Sequence, residues 1–129
     1  MSAPVILALM SFCFLFFGFC LMLMMRWQIA HPGQPVPVLG PLLAANFGNM
    51  AAQGAISPDL YNSCGAMHGT IMVFLAIVPL AFAAFGNYLV PLQIGAPDMA
   101  FPRVNMASYQ FYVLGGVVMF FSFFIPGGA

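Results

Sequence analysis

Ionisable side chains are so rare in this sequence that each one calls for a chemical explanation. Only 3% of the 129 residues are charged, and the four fully charged side chains belong to Arg26, Asp59, Asp98 and Arg103. His68 stands near the start of a long apolar segment, which Asp98 and Arg103 follow. A charge at the centre of a bilayer costs at least ~2.5 kcal/mol, so ionisable groups in and beside apolar segments are functional hypotheses by default.

The position of His68, about one turn inside a predicted helix, is compatible with two roles. A neutral imidazole offers one nitrogen lone pair, which suits a haem iron or another metal. Alternatively, the ring forms a hydrogen bond with a neighbouring helix and holds no ligand. Position alone leaves both interpretations open.

The other polar groups also have simple structural explanations. Arg26 and Trp27 follow the first apolar run, where both residue types anchor a helix at the membrane interface. Asp98 and Arg103 share a loop and are compatible with a pair of solvated charges, and Asn87 is compatible with a helix cap. None of these positions indicates chemistry by itself.

Spacing along the chain separates the polar groups into two sets. From His68 to Asn87 a helix rises about 30 Å at 1.5 Å per residue, so we expect these residues toward opposite membrane faces. Asp98 and Asn105 follow Asn87 and belong on its side. A metal-type ligand near one face and an acidic, polar entrance at the other indicate electron chemistry supplied with protons across a membrane.

The composition indicates an all-α integral membrane protein. Hydrophobic residues make up 64% of the chain, whereas a soluble domain is typically about one quarter charged. Three apolar runs reach the roughly 20 residues of a spanning helix, and no alternation of period two points to a transmembrane barrel. The sequence predicts helices at about 4–27, 65–92 and 107–125, joined by loops 28–64 and 93–106.

The connections contain signals for local structure. Five prolines and four glycines between residues 26 and 64 exclude a continuous helix there. Within that segment "LLAANFGNMAAQ" predicts a short helical piece, and "SPDL" predicts a helix start with Ser57 as the cap and Pro58 at the first position. The second connection, "VPLQIGAPDMAFPRVNMAS", predicts an irregular surface loop because Gly and Pro recur every few residues.

Two long motifs carry a resemblance to a known family. "MHGTIMVFLAIVP" and "FGNYLVPLQIGAPDMAFPRVN" resemble the haem-copper terminal oxidases, specifically subunit I of cytochrome c oxidase. The match is dense across residues 61–105, weaker over 1–60, and continues into the third predicted helix. It implies that residues 1–129 are the amino-terminal part of that subunit, the first quarter of a bundle of about twelve helices.

The resemblance implies roles for five residues. His68 stands where the family places an axial ligand of its low-spin haem, haem a, and is thus a candidate ligand of the haem iron. Arg26 matches the arginine that forms a hydrogen bond with a polar substituent of that haem. Asp98 matches the acid at the entrance of a proton-uptake channel on the cytoplasmic or matrix side. Asn87 and Asn105 match asparagines that bind the first waters of that channel.

The sequence also departs from the family. Ala83-Ala84 replaces a pair of glycines, Met106 replaces a second asparagine, and Gln28 replaces a glutamate that helps to bind a structural cation, so we do not predict that cation. The second axial histidine, the copper ligands and the high-spin haem ligand lie further along the family's chain. We therefore expect no catalytic residue within this fragment and no oxygen reduction by the fragment alone.

The main hypothesis is a part of the catalytic subunit of a respiratory terminal oxidase. It would carry electrons through low-spin haem a and take up protons for the reduction of oxygen to water, with proton pumping. The expected partners are the rest of subunit I with its high-spin haem and copper, oxidase subunits II and III, cytochrome c or another electron donor, and the lipid bilayer, without nucleic acid. A bacterial plasma membrane is favoured over the mitochondrial inner membrane.

Three alternatives belong beside this hypothesis. A small transporter or channel would use Asp98 as a proton site and hold no haem. A relative of the same family would take its electrons from quinol. A truncated scaffold or assembly protein would form the same three helices without a cofactor.

Overall fold

The computed structural model describes residues 3–125, with the side chain of residue 3 left aside, and within that range the chain forms helices and no strand. Helix α1 covers Ala3–Ala30 and the short helix α2 covers Gly40–Phe47. An irregular 3-10 segment, Gly48–Gly54, follows α2. The long helix α3 covers Pro58–Ile94 and helix α4 covers Pro102–Ser122.

Within residues 3–125, three helices are long and apolar enough to cross a membrane: Pro4–Ala30 with 27 residues, Pro58–Ile94 with 37 and Pro102–Ser122 with 21. Their outer faces expose large apolar side chains, including Phe82 at 77% and Phe111 at 74%. A water-soluble monomer rarely exposes such a surface. The all-α membrane architecture predicted from composition is confirmed.

Helix α3 begins at Pro58, seven residues before the apolar run that begins at Gly65. The Leu60 backbone N–H donates to the Ser57 hydroxyl at 3.2 Å, so Ser57 caps the helix as predicted. Asp59 lies in the first turn, where its charge favours the positive end of the helix dipole. The polar residues before the apolar run are therefore helical rather than part of the loop.

The middle of α3 departs from regular α-helical winding. Two stretches, Ile71–Ile77 and Pro79–Phe85, are π-wound, with α-helical segments before and after them. Pro79 lies at the start of the second stretch and has no N–H for the carbonyl of Leu75, four residues earlier. π-turns are rare in proteins and are frequent at functional sites.

The connection between α3 and α4 is shorter than the sequence indicates. Gly95 ends α3 with φ +69°, and the Ala96 N–H donates to the Pro91 carbonyl at 2.9 Å. Pro102 opens α4 at a position where a missing N–H costs nothing. The irregular loop is thus confined to residues 95–101, because a glycine and a proline set its two ends.

The described residues group into two compact units. The first contains residues 3–16 and 70–119, with a core that includes Leu7, Ser11, Leu75 and Ala84. The second contains residues 17–69 and 120–125, and its core side chains are Leu21, Met24, Met25, Val36, Leu43, Ala51, Ile56, Leu60, Cys64 and Met67.

Side-chain and backbone hydrogen bonds hold the first connection within the second unit. Gln28 Oε1 accepts from the Ile56 N–H at 3.2 Å, and the Val36 N–H donates to the Gly54 carbonyl at 2.9 Å. Trp27 Nε1 donates to the Pro35 carbonyl at 3.2 Å. These contacts tie the loop to the end of α1, so the amide of Gln28 has a structural use of its own.

Candidate functional site

His68 is oriented by a backbone carbonyl on another helix. Its Nδ1 lies 2.8 Å from the carbonyl oxygen of Gly18 on α1, and both residues belong to the second unit. A carbonyl oxygen only accepts hydrogen bonds, so Nδ1 carries the proton and Nε2 keeps its lone pair. Histidines that bind metals characteristically donate their other ring N–H to a carbonyl or carboxylate in this way.

Arg26 lies in the same unit and lines a groove of about 470 Å³, here called the Arg26 groove. The guanidinium-bearing side chain is exposed, and Tyr61 of α3 is the only other polar side chain in the lining. The complete lining is Met22, Met25, Arg26, Ile29, Ala30 and Tyr61.

Helical spacing relates the Arg26 groove to His68. On α1, Gly18 and Arg26 are separated by eight residues, or about 12 Å, and on α3 Tyr61 and His68 are separated by seven, or about 10 Å. The two intervals therefore match along the neighbouring helices. Between them the helices approach closely, since a Cβ added at Gly65 would lie 3.7 Å from the Met25 Sδ. His68 and Arg26 thus lie along one seam of the second unit.

Asn87 and Asn105 meet within the first unit. Asn87 Nδ2 donates to Asn105 Oδ1 at 2.6 Å, which joins α3 to α4. Asn105 Nδ2 is buried, and no described residue accepts a hydrogen bond from it. The pair therefore has one N–H donor, Asn105 Nδ2, that is not used in the bond between the two asparagines.

Asn87 and Asp98 line one groove of about 360 Å³, here called the Asp98 mouth. Asp98 is exposed in the loop between α3 and α4, and its Oδ1 accepts from the Met99 N–H at 2.8 Å. Met106 also lines the mouth, so a thioether takes part of the wall where an amide would add a polar group. Four prolines complete much of the remaining wall: Pro4, Pro91, Pro97 and Pro102.

The structure groups the five predicted site residues as two and three. His68 and Arg26 belong to the second unit, and Asn87, Asp98 and Asn105 belong to the first. Asp98 and Arg103 are both exposed, as solvated charges are, and Arg103 lies in the first turn of α4 instead of in the loop.

Sequence reasoning missed the acceptor for His68. Gly18 is fifty residues away in sequence and contributes only a backbone atom, so its type gives no signal. Tyr61, to which the sequence analysis assigned no role, shares the groove with Arg26. The seven-residue interval between Tyr61 and His68 was the available signal, because it places both on one side of α3.

The donor set fits a haem better than a metal site built from protein ligands alone. Across residues 3–125 no group of three or more His, Cys, Asp or Glu side chains could hold a metal ion. A haem iron takes one axial imidazole from a helix while the macrocycle supplies its other nitrogen ligands. His68, with a fixed ring and a free Nε2 lone pair, has the chemistry of such a ligand.

The chain matches a known protein family over nearly its whole length. The family model described as "Cytochrome C and Quinol oxidase polypeptide I" matches residues 3–129. No solved structure matches the chain.

Three curated relatives illustrate the similarity. The chain is 40% identical over 119 residues to a putative cytochrome c oxidase subunit 1-beta of Streptomyces coelicolor, which covers 92% of this chain and 17% of the relative. It is 50% identical over 70 residues to cytochrome c oxidase subunit 1 of Synechocystis sp., covering 54% and 12%. It is 51% identical over 69 residues to cytochrome c oxidase subunit 1 of Cereibacter sphaeroides, again covering 54% and 12%. The chain thus spans 17% or less of the length of these relatives.

The contact between Asn87 and Asn105 predicts a measurable energetic coupling. Asn87→Ala should lower the free energy of unfolding by about 1–3 kcal/mol, because Asn105 Oδ1 loses its donor in a partly buried position. The double variant Asn87→Ala/Asn105→Ala should cost less than the sum of the single variants, by about 0.5–1.5 kcal/mol. Denaturant unfolding in detergent micelles measures all three.

Asn46 provides the control for this cycle. Its Nδ2 donates at 2.8 Å to the Leu42 carbonyl within its own helix, and the side chain is exposed. Asn46→Ala should combine additively with Asn87→Ala. Strict additivity of Asn87→Ala and Asn105→Ala as well would contradict the contact.

Proposed function

The chain belongs to the cytochrome c and quinol oxidase polypeptide I family, and on that premise we propose that it forms the amino-terminal part of the catalytic subunit of a respiratory terminal oxidase. The whole subunit would reduce oxygen to water and pump protons. This part would help to hold low-spin haem a and would form the entrance for proton uptake. It would contain no catalytic residue of its own for oxygen chemistry.

The hydrogen bond between His68 and Gly18 carries the proposal for the electron site. It fixes the tautomer with Nδ1 protonated, and it directs the Nε2 lone pair away from α1. A histidine that served only to link two helices would need this bond alone. Family membership supports assigning the remaining nitrogen to the haem iron as one axial ligand.

Arg26 would bind a polar substituent of the same haem. When bound, haem a supplies one-electron redox chemistry, and a guanidinium beside its periphery would raise the reduction potential by stabilising electron density on the ring. The matched intervals from Gly18 to Arg26 and from His68 to Tyr61 support a shared binding region. Tyr61 would supply a hydroxyl to the same polar substituent.

Asp98, Asn87 and Asn105 would admit protons from the cytoplasmic side. The exposed carboxylate of Asp98 exchanges protons with bulk water, as an entrance group must. The buried Nδ2 donor of Asn105 would hold a water beside Asn87, because buried polar groups without a protein partner are typically satisfied by water.

The remaining components would come from outside this chain. We propose that the rest of subunit I provides the second axial histidine, the high-spin haem and the copper site, and that oxidase subunits II and III complete the complex. The names of the curated relatives favour cytochrome c as the electron donor over quinol. Their bacterial sources, with three candidate membrane spans, favour a bacterial plasma membrane.

Replacing His68 tests the electron site directly. His68→Ala should abolish the low-spin haem band in the reduced-minus-oxidised visible spectrum of the purified oxidase complex, because the iron loses one of its axial ligands. His31→Ala is the matched control, since His31 stacks on Trp27 at 4.1 Å and should leave the band intact. A wild-type band in His68→Ala would remove the ligand assignment, and a band of the b type alone in the wild type would favour the quinol-oxidising relative.

Replacing Arg26 tests the role of the guanidinium. Arg26→Met keeps the aliphatic length and should lower the reduction potential of low-spin haem by about 60–120 mV, the equivalent of one charge-assisted hydrogen bond. Spectroelectrochemical titration of the complex measures the shift. Arg103→Met removes the other basic side chain and should leave the potential unchanged; equal shifts in both variants would refute a local contact.

Replacing Asp98 tests the proton entrance. Asp98→Asn keeps the shape of the side chain and should slow proton uptake by roughly 100-fold, the low end for removal of an acid–base group. Stopped-flow measurement with a pH indicator on the reconstituted complex gives the rate. Asp59→Asn removes the other acidic side chain, at the start of α3, and should leave the rate unchanged. An unaltered rate in Asp98→Asn would exclude this residue as the entrance.

A further inference from the structure

A proline in the membrane-spanning part of α3 removes a hydrogen-bond donor from that helix, and a side chain on α4 donates in its place. Pro79 has no N–H, so the carbonyl of Leu75 lacks its regular α-helical donor. The Tyr112 hydroxyl on α4 donates to that carbonyl at 2.6 Å. Backbone groups inside a bilayer must be satisfied by protein, and the Tyr112 hydroxyl gives the Leu75 carbonyl a donor that Pro79 cannot supply.

The ring of Tyr112 is fixed by the helix on its other side. It packs edge-on against Phe14 of α1, with ring centroids 5.7 Å apart and planes at 73°. The backbone of α4 approaches Phe14 one turn later, because a Cβ added at Gly116 would lie 2.5 Å from the Phe14 Cζ. These contacts hold the ring of Tyr112 between α1 and α3, with its hydroxyl at Leu75.

The same two helices make a second polar contact, between Asn87 and Asn105. On α4, Asn105 and Tyr112 are seven residues apart and lie on one side of the helix. On α3, Leu75 and Asn87 are twelve residues apart, and much of the interval is π-wound. A change between i+4 and i+5 bonding shifts the register by one residue, which rotates everything beyond it by about 100° at 3.6 residues per turn.

We propose that Tyr112 is a positioning residue for the proton entrance, which acts by fixing the winding of α3 so that Asn87 faces Asn105. The identification of the asparagine pair as part of a proton entrance rests on the proposed function; the positioning itself does not. Tyr112 holds α3 at Leu75, where Pro79 prevents the regular α-helical bond. The winding at this point determines the direction in which Asn87 faces. Loss of the hydroxyl frees the Leu75 carbonyl to seek a donor on α3 by rewinding.

The test measures the facing of positions 87 and 105 inside the assembled oxidase. Asn87→Cys and Asn105→Cys are introduced together, with Cys13, Cys20 and Cys64 replaced by alanine, and the pair is treated with dibromobimane, which becomes fluorescent on bridging two neighbouring thiols. Tyr112→Phe removes only the hydroxyl. It should slow bridging by about two- to tenfold, the equilibrium equivalent of one hydrogen bond.

Tyr109→Phe is the matched control, because it removes a hydroxyl about one turn away on the same helix. It should leave the bridging rate unchanged. The low-spin haem spectrum should be the same in both variants, because His68 belongs to the other compact unit. Equal bridging rates in Tyr112→Phe and Tyr109→Phe, with the haem spectrum intact, would overturn the proposal.

A second variant keeps the proposal testable where Tyr112→Phe does not assemble. Pro79→Ala gives Leu75 an α-helical donor and should slow bridging with Tyr112 still present, whereas an unchanged rate would overturn the proposal. Proton uptake separates this inference from the proposed function. If Asp98→Asn leaves proton uptake unaltered, the proton entrance is refuted, and the bridging rates still decide whether Tyr112 sets the facing of the pair.

Discussion

This structure depends on one constraint: polar groups of the backbone and side chains must form their hydrogen bonds within the protein, without water. Each long helix would lie in a medium that offers no hydrogen bonds, so every polar side chain in it needs a protein partner. Ser11 is fully buried and donates to the Leu7 carbonyl at 2.8 Å within its own helix. His68 and Tyr112 instead donate to carbonyls on other helices. These donors determine how the helices are paired, and the polar groups that carry chemistry are thereby oriented.

The two chemistries proposed for this chain would use different kinds of polar contact. The proposed electron site would use the bond from His68 to a backbone carbonyl, which leaves one ring nitrogen free and orients the ring. The proposed proton entrance would use an amide pair with a surplus donor, an exposed carboxylate and a groove large enough for several waters. A rigid ligand suits an iron centre, whereas exchangeable donors suit the passage of protons.

The sequence predicted the parts of the fold that depend on local signals. Apolar length identified the three spans, and Ser57 with Pro58 marked the start of α3. The polar residues that follow Asp59 concealed the first two turns of that helix, because hydropathy alone cannot distinguish a helical extension from a loop. The π-winding had no signal apart from Pro79, since a change in bonding register leaves the composition untouched.

The candidate site was less accessible to residue-level reasoning than the fold. Position left His68 undecided between a ligand and a structural histidine, and the resemblance of its flanking motifs supplied the role proposed for it. The contacts that matter are distant in sequence: Gly18 to His68 spans 50 residues, and Leu75 to Tyr112 spans 37. Both acceptors are main-chain atoms, and a main-chain atom is the same in every residue type.

The use of a main-chain acceptor has a genetic consequence for His68. Its acceptor belongs to the peptide bond at the buried Gly18, so no codon change at that position can delete the oxygen. A substitution there changes only the side chain and leaves the carbonyl oxygen in place. A substitution at Gly18 therefore cannot remove the acceptor that orients the imidazole, whereas a side-chain acceptor could be lost by a single nucleotide change. Drift at this position would be recorded as variation in residue size, with the hydrogen bond itself invisible in any alignment.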